Sequence, residues 1–292
     1  MTRPKTIAII QARMGATRLP GKVLLDIAGQ PMLVRVVERT RRASLLDGFI
    51  VATTTEVQDD ALYELCRERG YPCYRGKQQD VLDRYYQSAR QAGAEVVVRI
   101  TADCPVIDPD LIDETTKLVT GRSSLITHHA LRITHHASLD FAANRLPPPW
   151  GRTYPIGLDV EVCTFAALER AWKEATKPYQ REHVMPYLYE GVSLVTRHSS
   201  LATRHSSLAT GITPRGFHVA LLNHDPDYGA LRWTVDTPED LELICQVYAR
   251  FGGRDDFGWL EILALFEREP ELARINAVIK AKNLTESEKR KT

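Results

Sequence analysis

A basic segment at residues 11–24 has the residue types that bind a polyphosphate. Two glycines in it let backbone N–H groups approach an anion closely, and three cations can donate charge-assisted hydrogen bonds to phosphate oxygens. The glycines are Gly15 and Gly21, and the cations are Arg13, Arg18 and Lys22. We therefore predict an anion site here; a basic surface loop without a ligand is the alternative explanation.

The segment matches neither of the two common phosphate-binding motifs. A Walker A loop has four residues between its glycines, and a Ser or Thr after its lysine binds Mg²⁺. Here five residues separate Gly15 from Gly21, and Val23 follows Lys22. The GxGxxG pattern of dinucleotide-binding proteins is not met either. A different kind of phosphate loop is therefore expected.

Two aspartates stand where a carboxylate can hold Mg²⁺ against the phosphates of a nucleotide. Asp103 follows an apolar, strand-like run, and Asp236 follows a second such run and precedes Pro238. For Asp236 the sequence leaves an alternative open, because Asp-Thr-Pro-Glu is also a good helix start. Asp240, one helical turn further on, is predicted to lie on the surface.

The first half of the chain alternates strand-like apolar runs with segments of helical periodicity. The predicted strands are 7–10, 49–53, 73–75 and 96–100, and the predicted helices are 31–42, 59–69, 81–92 and 109–119. Four such units favour an α/β fold with a doubly wound, mainly parallel sheet. Ligands bind at the carboxyl ends of the strands in such sheets, so the site is expected in the segments that follow them.

The second half is less regular and predicts a small irregular subdomain. Its predicted strands are 159–163, 217–222 and 231–235, and its predicted helices are 165–175, 182–189, 238–251, 259–268 and about 272–282. Asp159 and Glu161 share one face of the first of these strands. We expect residues 1–252 to form one domain, followed by a C-terminal helical extension at 253–292 with a frayed tail.

Two segments repeat with a period of seven. Residues 126–130 recur as 133–137, and residues 196–202 recur unchanged as 203–209. We predict that the stretches 125–137 and 193–210 are tolerated insertions in surface loops. Six of the nine histidines lie in the repeats, so metal binding by a histidine-rich tract is the alternative.

Composition narrows the class of protein. The 292 residues are 43% hydrophobic and 26% charged, with a net charge of +1, as in an ordinary soluble globular protein. We therefore expect no nucleic-acid partner, and no apolar run is long enough to predict a membrane span. The five cysteines are odd in number and form no CxxC pair, which indicates a reduced, cytoplasmic protein.

The basic segment resembles the N-terminal signature of the sugar-acid cytidylyltransferases, which make CMP-sialic acid and CMP-3-deoxy-manno-octulosonate. The shared pattern is Ala12-Arg13, a turn of small residues, and then Arg18-Leu19-Pro20-Gly21-Lys22. The chain is more similar still to the spore-coat polysaccharide branch of that family. The segments typical of this branch are 75–76, 80–85, 99–105, 157–162, 181–184 and 234–240.

The resemblance implies a Rossmann-related fold of the nucleotide-diphospho-sugar transferase type and a Mg²⁺-dependent reaction. A cytidylyl group would pass from CTP to a sugar acid, with release of pyrophosphate, for a surface polysaccharide or glycan. It also implies a homodimer, with residues 138–230 serving the acceptor sugar and dimerisation.

The resemblance also carries over residue roles. The nucleotide-binding residues would be Gln11, Ala12, Arg13, Gly15, Arg18, Gly21, Lys22, Arg75 and Arg84. The catalytic residues would be Arg13, Lys22 and Asp103, with Asp103 and Asp236 on the metal. The acceptor would meet Asp159, Glu161, Arg181 and His183. For Arg75 and Arg84, ion pairing to Asp80 or Asp83 is the alternative explanation.

Two other functions remain open from the sequence. A glycosyltransferase of the same α/β class would use a nucleotide sugar and release a free nucleotide, but it needs Asp-x-Asp where this chain has Asp103-Cys104-Pro105. A non-catalytic homologue would bind a nucleotide without turnover. The presence of Lys22, Asp103 and Asp236 argues against that alternative.

Overall fold

The computed structural model describes residues 3–121, 139–197 and 206–279. The first range contains the strands β1 (Thr6–Gln11), β2 (Asp26–Ile27), β3 (Gln30–Pro31), β4 (Gly48–Thr54), β5 (Cys73–Gly76) and β6 (Val96–Thr101). The same range contains the helices α1 (Met32–Thr40), α2 (Asp60–Arg69), α3 (Val81–Ala92) and α4 (Pro109–Val119). Every element predicted for this half is therefore confirmed, with small shifts at the ends.

The remaining described ranges contain seven strands and five α-helices. The strands are β7 (Phe141–Ala143), β8 (Arg145–Leu146), β9 (Gly151–Arg152), β10 (Glu161–Thr164), β11 (Val195–Arg197), β12 (Ser206–Ile212) and β13 (His218–His224). The helices are α5 (Phe165–Glu174), α6 (Pro178–His183), α7 (Pro186–Tyr189), α8 (Pro238–Arg250) and α9 (Trp259–Arg268). The single helix predicted over 182–189 is wrong, because the chain breaks at Val184, whose φ is 71°.

Four strands of the first half, β1, β4, β5 and β6, lie side by side and parallel in a mixed nine-stranded sheet, while β2 and β3 form a separate antiparallel pair. The order across the sheet is β11-β12-β13-β7-β10-β6-β1-β4-β5. From β1 the chain first winds to one side through β4 and β5, and it then returns to the other side as β6. The doubly wound prediction is confirmed, and the winding reverses between β1 and β6, where such sheets bind ligands.

Burial on both faces explains why β1 reads as a continuous apolar run. Ala8 and Ile10 belong to the apolar cluster on one side of the sheet, and Ile7 and Ile9 belong to the cluster on the other side. Gln11 ends the strand and pairs in register with Thr101 of β6. Two polar strand ends therefore meet at the same edge of the sheet.

The strand predicted over 231–235 is wrong. This segment has no neighbouring strand; one isolated bridge joins Arg232 to Ile156, among the described residues. Its backbone N–H groups donate to loop carbonyls instead, from Trp233 to Ile156 at 2.6 Å and from Val235 to Asp103 at 2.9 Å. The second bond ties the segment to the end of β6.

The second repeat is not a loop at its described ends. Thr196 pairs with Ala209, and Arg197 pairs with Leu208, in the antiparallel hairpin of β11 and β12. The loop expected over 193–210 is therefore corrected to two paired strands at the edge of the sheet. Residues 198–205 and the first repeat lie outside the described residues.

The C-terminal segment from residue 253 is part of the main body. Ile262 and Leu265 of α9 belong to the same apolar cluster as the residues of β1 and β6. Leu272, in the 3₁₀ turn at Pro270–Arg274, is also in that cluster. The helix predicted over about 272–282 is wrong in its described part, which is this 3₁₀ turn followed by turn residues up to 278. The frayed tail predicted near the C-terminus lies outside the described residues.

In the ranges that the structure describes, no helix has the length and apolar character needed to cross a membrane.

Candidate active site

A cavity of about 210 Å³ opens at the carboxyl ends of β1 and β6. Its lining residues come from the basic segment, from the end of β6 and from the segment before α8. They are Gln11, Ala12, Arg13, Ala16, Thr17, Arg18, Lys22, Val23, Thr101, Ala102, Asp103 and Asp236. The structure therefore brings the predicted cations and both predicted metal-binding acids to one place.

The basic segment folds back on itself over the end of β1. The carbonyl of Met14 accepts hydrogen bonds from the N–H groups of Ala16 at 2.8 Å and Gly21 at 3.0 Å. Gly21 has a φ of 70°, which favours glycine, and it leads into a 3₁₀ turn at Lys22–Leu24. Neither Gly15 nor Gly21 is among the described residues that line the cavity, and their nucleotide-binding role stays a prediction.

Lys22 lies between the two acids. Its Nζ donates to Asp103 Oδ2 at 3.0 Å, to Asp236 Oδ1 at 2.9 Å and to the Val235 carbonyl at 2.7 Å. Lys22 is 7% exposed, so its charge is held in a partly desolvated site. All three bonds of the ammonium group are thus made to oxygen acceptors from two distant segments.

The mutual attraction of Lys22, Asp103 and Asp236 keeps all three side chains ionised. Burial alone would lower the pKa of Lys22, but the two carboxylates outweigh it and raise that pKa above its ordinary value. Burial alone would raise the pKa of Asp103, yet Lys22 and a hydrogen bond from Thr101 hold it below the usual range. Burial and the neighbouring Asp103 would raise the pKa of Asp236, but Lys22 and Arg18 hold that pKa below its usual range.

Asp236 is held from its other side by two arginines. Its Oδ2 forms an ion pair with Arg18 Nη2 at 2.7 Å and accepts a hydrogen bond from Arg232 Nη2 at 2.9 Å. Arg232 also contacts both oxygens of Asp240, which is fully buried. The expectation of a surface Asp240 is therefore wrong, because this carboxylate pairs with a buried arginine. Thr237, not Asp236, caps α8 with its side chain.

Arg75 and Arg84 stand beside the cavity rather than in it. Arg75 pairs with Asp60 at 2.7 Å and donates to the Thr54 carbonyl at 2.8 Å. Arg84 is fully buried and donates to the carbonyls of Lys77 and Gln78. Within the described ranges neither arginine lines the cavity, and their nucleotide-binding role stays a prediction.

Asp159 and Glu161 lie in a cluster of arginines next to the cavity. Asp159 accepts from Arg145 at 3.3 Å and from Arg152 at 3.2 Å, and Glu161 accepts from Arg99. Arg99 also donates to Gln11, which lines the cavity, at 3.4 Å. Three arginines face two carboxylates here, so the group carries a surplus positive charge.

The other two residues predicted to contact the acceptor, His183 and Arg181, lie in different surroundings. His183 is close enough to Arg99 and Arg145 for them to act on its titration; burial is the main reason that the pKa of His183 is lowered. Arg181 instead pairs with Asp80 at 2.7 Å, at the start of α3. The structure therefore places His183 near Arg99, Arg145 and Glu161, and it pairs Arg181 with Asp80.

The sequence analysis missed several residues of the site. Thr17 and Thr101 line the cavity, Arg232 holds Asp236, and Arg145 and Arg152 neutralise Asp159. Arg145 and Arg152 flank the run of prolines at 147–149, a run that predicts only an extended chain. Arg232 stands four positions before Asp236, and no local pattern marks it.

The carboxylates of Asp103 and Asp236 face the cavity and offer oxygen ligands at the place where the Lys22 ammonium group lies. Among the described residues, no group of three or more His, Cys, Asp or Glu side chains is arranged to hold a metal. Mg²⁺ is commonly bound by one or two carboxylates together with waters and substrate phosphates. Asp103 and Asp236 therefore fit Mg²⁺ that arrives with a nucleotide.

Comparison with known proteins places the chain in a family. Residues 7–247 match the model of a family described as cytidylyltransferase. The chain is 30% identical over 269 residues to the spore coat polysaccharide biosynthesis protein SpsF of Bacillus subtilis, covering 91% of this chain and 95% of that protein. It is 41% identical over 109 residues to a 3-deoxy-manno-octulosonate cytidylyltransferase of Geobacter sulfurreducens, covering 37% of this chain and 42% of that enzyme.

A solved structure supports the same family assignment. The fold is similar to that of a cytidylyltransferase from Leptospira borgpetersenii, with a TM-score of 0.74 and 26% identity over 92% of this chain and 97% of that one. The family match covers most of the residues that form the sheet and every residue that lines the cavity. The chain therefore belongs to the cytidylyltransferase family and is a nucleotidyltransferase.

Proposed function

We propose that the protein transfers a cytidylyl group from CTP to a sugar acid, with Mg²⁺, and releases pyrophosphate. The product would be an activated sugar for a surface polysaccharide or glycan. The observation that carries the proposal is the meeting of Lys22, Asp103 and Asp236 in one cavity beside Arg13 and Arg18. That set of charges suits a triphosphate and a divalent cation.

Asp103 and Asp236 would hold the Mg²⁺ ion. Both acids are kept ionised, as metal ligands must be, and both offer the carboxylate oxygens that Mg²⁺ prefers. When bound, Mg²⁺ would polarise the phosphate oxygens and offset charge on the leaving pyrophosphate.

The chain's own cations would do the rest by placement and charge. In the reaction the acceptor hydroxyl gives up its proton to solvent and its oxygen forms a bond to the α-phosphorus. The bond between the α-phosphorus and the oxygen that bridges to the β-phosphorus breaks, and that oxygen leaves with pyrophosphate and its electron pair. Lys22, Arg13 and Arg18 would offset the negative charge that gathers on the phosphates. No enzyme nucleophile is required, and burial raises the pKa of the nearby Cys104 thiol, which keeps it protonated.

The surplus positive charge near Asp159 and Glu161 supports an anionic acceptor. Arg99, Arg145 and Arg152 outnumber the two carboxylates, and Arg99 reaches Gln11 in the cavity wall. A carboxylate on the acceptor would be attracted to this surplus, because charge-assisted hydrogen bonds are the strong ones. The Geobacter relative is named for a sugar acid, which agrees with that expectation.

Pyrophosphate release tests the proposal. The full-length protein, CTP and Mg²⁺ are incubated with a panel of 3-deoxy-2-keto sugar acids, and each acid is matched with its neutral methyl ester. We expect pyrophosphate with at least one acid and much less with its ester. No pyrophosphate with any acid would overturn the proposal, and release of free nucleotide from a nucleotide sugar would support the glycosyltransferase alternative.

The cellular setting and assembly follow as further parts of the proposal. All five cysteines are free, which suits the reducing cytoplasm. A homodimer through the segment 138–230 stays a prediction, and sedimentation of the purified protein would test it.

A further inference from the structure

We propose that the C-terminal segment positions the metal-binding acid Asp236 through a relay of Asn276, Asp240 and Arg232. The proposal rests on the function proposed above, because it concerns how the chain holds an acid assigned to Mg²⁺. Asn276 lies beyond the family match, which ends at residue 247, and it acts through other residues. It is therefore a positioning residue rather than a catalytic one.

The relay begins at Asn276, which is 5% exposed. Its side-chain amide donates to Asp240 Oδ1 at 2.8 Å and to the Arg232 carbonyl at 3.0 Å. Both acceptors lie in the segment that carries Asp236. One side chain from the end of the chain therefore joins the two residues that flank the acid.

Asp240 is the centre of the relay. Its buried carboxylate accepts hydrogen bonds from five donors: Arg232 Nε, Arg232 Nη2, Asn276 Nδ2 and the backbone N–H groups of Asp236 and Thr237. A buried charge with this many partners is held rigidly, because each lost bond leaves it uncompensated. The backbone of Asp236 is thereby held as well as its side chain.

Arg232 completes the relay at the acid itself. Its two-pronged contact with Asp240 leaves Nη2 placed to donate to Asp236 Oδ2 at 2.9 Å. Asp236 Oδ1 remains directed at Lys22 in the cavity. The relay, together with Arg18, therefore holds Oδ2 and leaves Oδ1 directed at Lys22. Outer partners of this kind typically change metal affinity 10–100-fold when they are lost.

Metal affinity, not turnover, is the test. Binding of Mn²⁺ is measured by electron paramagnetic resonance on the full chain, with a CTP analogue that has a methylene group between its α- and β-phosphates. We expect Asn276→Ala to raise the Mn²⁺ dissociation constant by about tenfold. The control is Leu272→Ala, which weakens the packing of the same segment but removes no hydrogen bond to Asp240. Its Mn²⁺ dissociation constant should stay within twofold of the wild-type value.

The outcomes distinguish a failure of the relay from a failure of the proposed Mg²⁺-dependent function. If Asn276→Ala binds Mn²⁺ as the wild type does, or no worse than Leu272→Ala, the relay is overturned. If Asp236→Asn also binds Mn²⁺ normally, the metal assignment fails too; if Asp236→Asn alone loses binding, only the relay fails. Should Asn276→Ala not fold, Arg232→Lys decides by the same criteria, because lysine cannot make the two-pronged contact.

Discussion

The ammonium group of Lys22 lies 2.9 Å from a carboxylate oxygen of Asp236, although 214 positions separate the two residues in the chain. The segment after β1 supplies the lysine, and the segment before α8 supplies the aspartate. Asp103, after β6, lies 3.0 Å from the same ammonium group. A cation and two acids from three distant segments therefore meet where the winding of the sheet reverses.

Replacing Lys22 removes the cation that the two acids share. Lys22→Met keeps the length of the side chain but loses the charge, so the rate of pyrophosphate release at saturating CTP should fall by at least about 100-fold. The control is Lys173→Met on α5, an exposed lysine that pairs with Glu169 and should leave the rate unchanged. A Lys22→Met enzyme within threefold of the wild-type rate contradicts the role given to Lys22.

Replacing Arg145 tests the acceptor side separately from the nucleotide. Arg145→Gln removes one of the two arginines on Asp159 and with it the surplus positive charge. The KM for the sugar acid should rise about tenfold, because hydrogen bonds to charged groups are worth about 1.5–3 kcal/mol, while the KM for CTP should stay within about twofold.

The control for that experiment is Arg254→Gln. Arg254 is exposed, and within the described ranges its ion pair is with the neighbouring Asp256, so both KM values should remain those of the wild type. Equal changes in the two KM values of Arg145→Gln would mean that the arginine serves the whole site and not the acceptor.

Asp159 gives a prediction about stability and pH. Burial alone would raise the pKa of Asp159, but Arg152 and Arg145 reverse this and hold that pKa below its ordinary value. Because the folded pKa is the lower one, the ionised carboxylate stabilises the folded state above about pH 4, and this contribution is lost as the pH falls through the folded pKa. Asp159→Asn should therefore lower the free energy of unfolding by about 2 kcal/mol at pH 7 and by less at about pH 3, where the contribution has begun to be lost.

Urea unfolding at the two pH values checks whether the destabilisation caused by Asp159→Asn becomes smaller in acid. Asp256→Asn is the matched control, since the Asp256 carboxylate is exposed and its ion pair among the described residues is with Arg254. Its effect on the free energy of unfolding should stay below about 0.5 kcal/mol at both pH values. An Asp159→Asn effect that does not shrink in acid would show that the loss is one of packing and not of charge.

The sequence predicted the parts of the site whose residue types follow strand ends. Lys22 and Asp103 could be found because each follows a recognisable apolar strand. Asp236 precedes a clear helix start, which by itself favours a capping role equally, so its assignment depended on the family resemblance. Asp240 was misplaced because its partners, Arg232 and Asn276, are brought to it only by tertiary packing. A buried ion pair of this kind leaves no periodic trace in the sequence.

The strand predicted at 231–235 failed for a related physical reason. Leu-Arg-Trp-Thr-Val has the composition of a strand, but a strand forms only where a neighbouring strand accepts its hydrogen bonds. Here the acceptors are the carbonyls of Ile156 and Asp103, which belong to loops. That arrangement ties the segment carrying Asp236 to Asp103, which local propensity cannot reveal.

The most direct test of the central claim is a crystal structure of the protein with Mn²⁺ and the non-reactive CTP analogue. The account predicts one anomalous peak about 2 Å from a carboxylate oxygen of both Asp103 and Asp236, with the Lys22 ammonium moved onto a phosphate. A metal bound elsewhere, with Lys22 still between the two carboxylates, would contradict it.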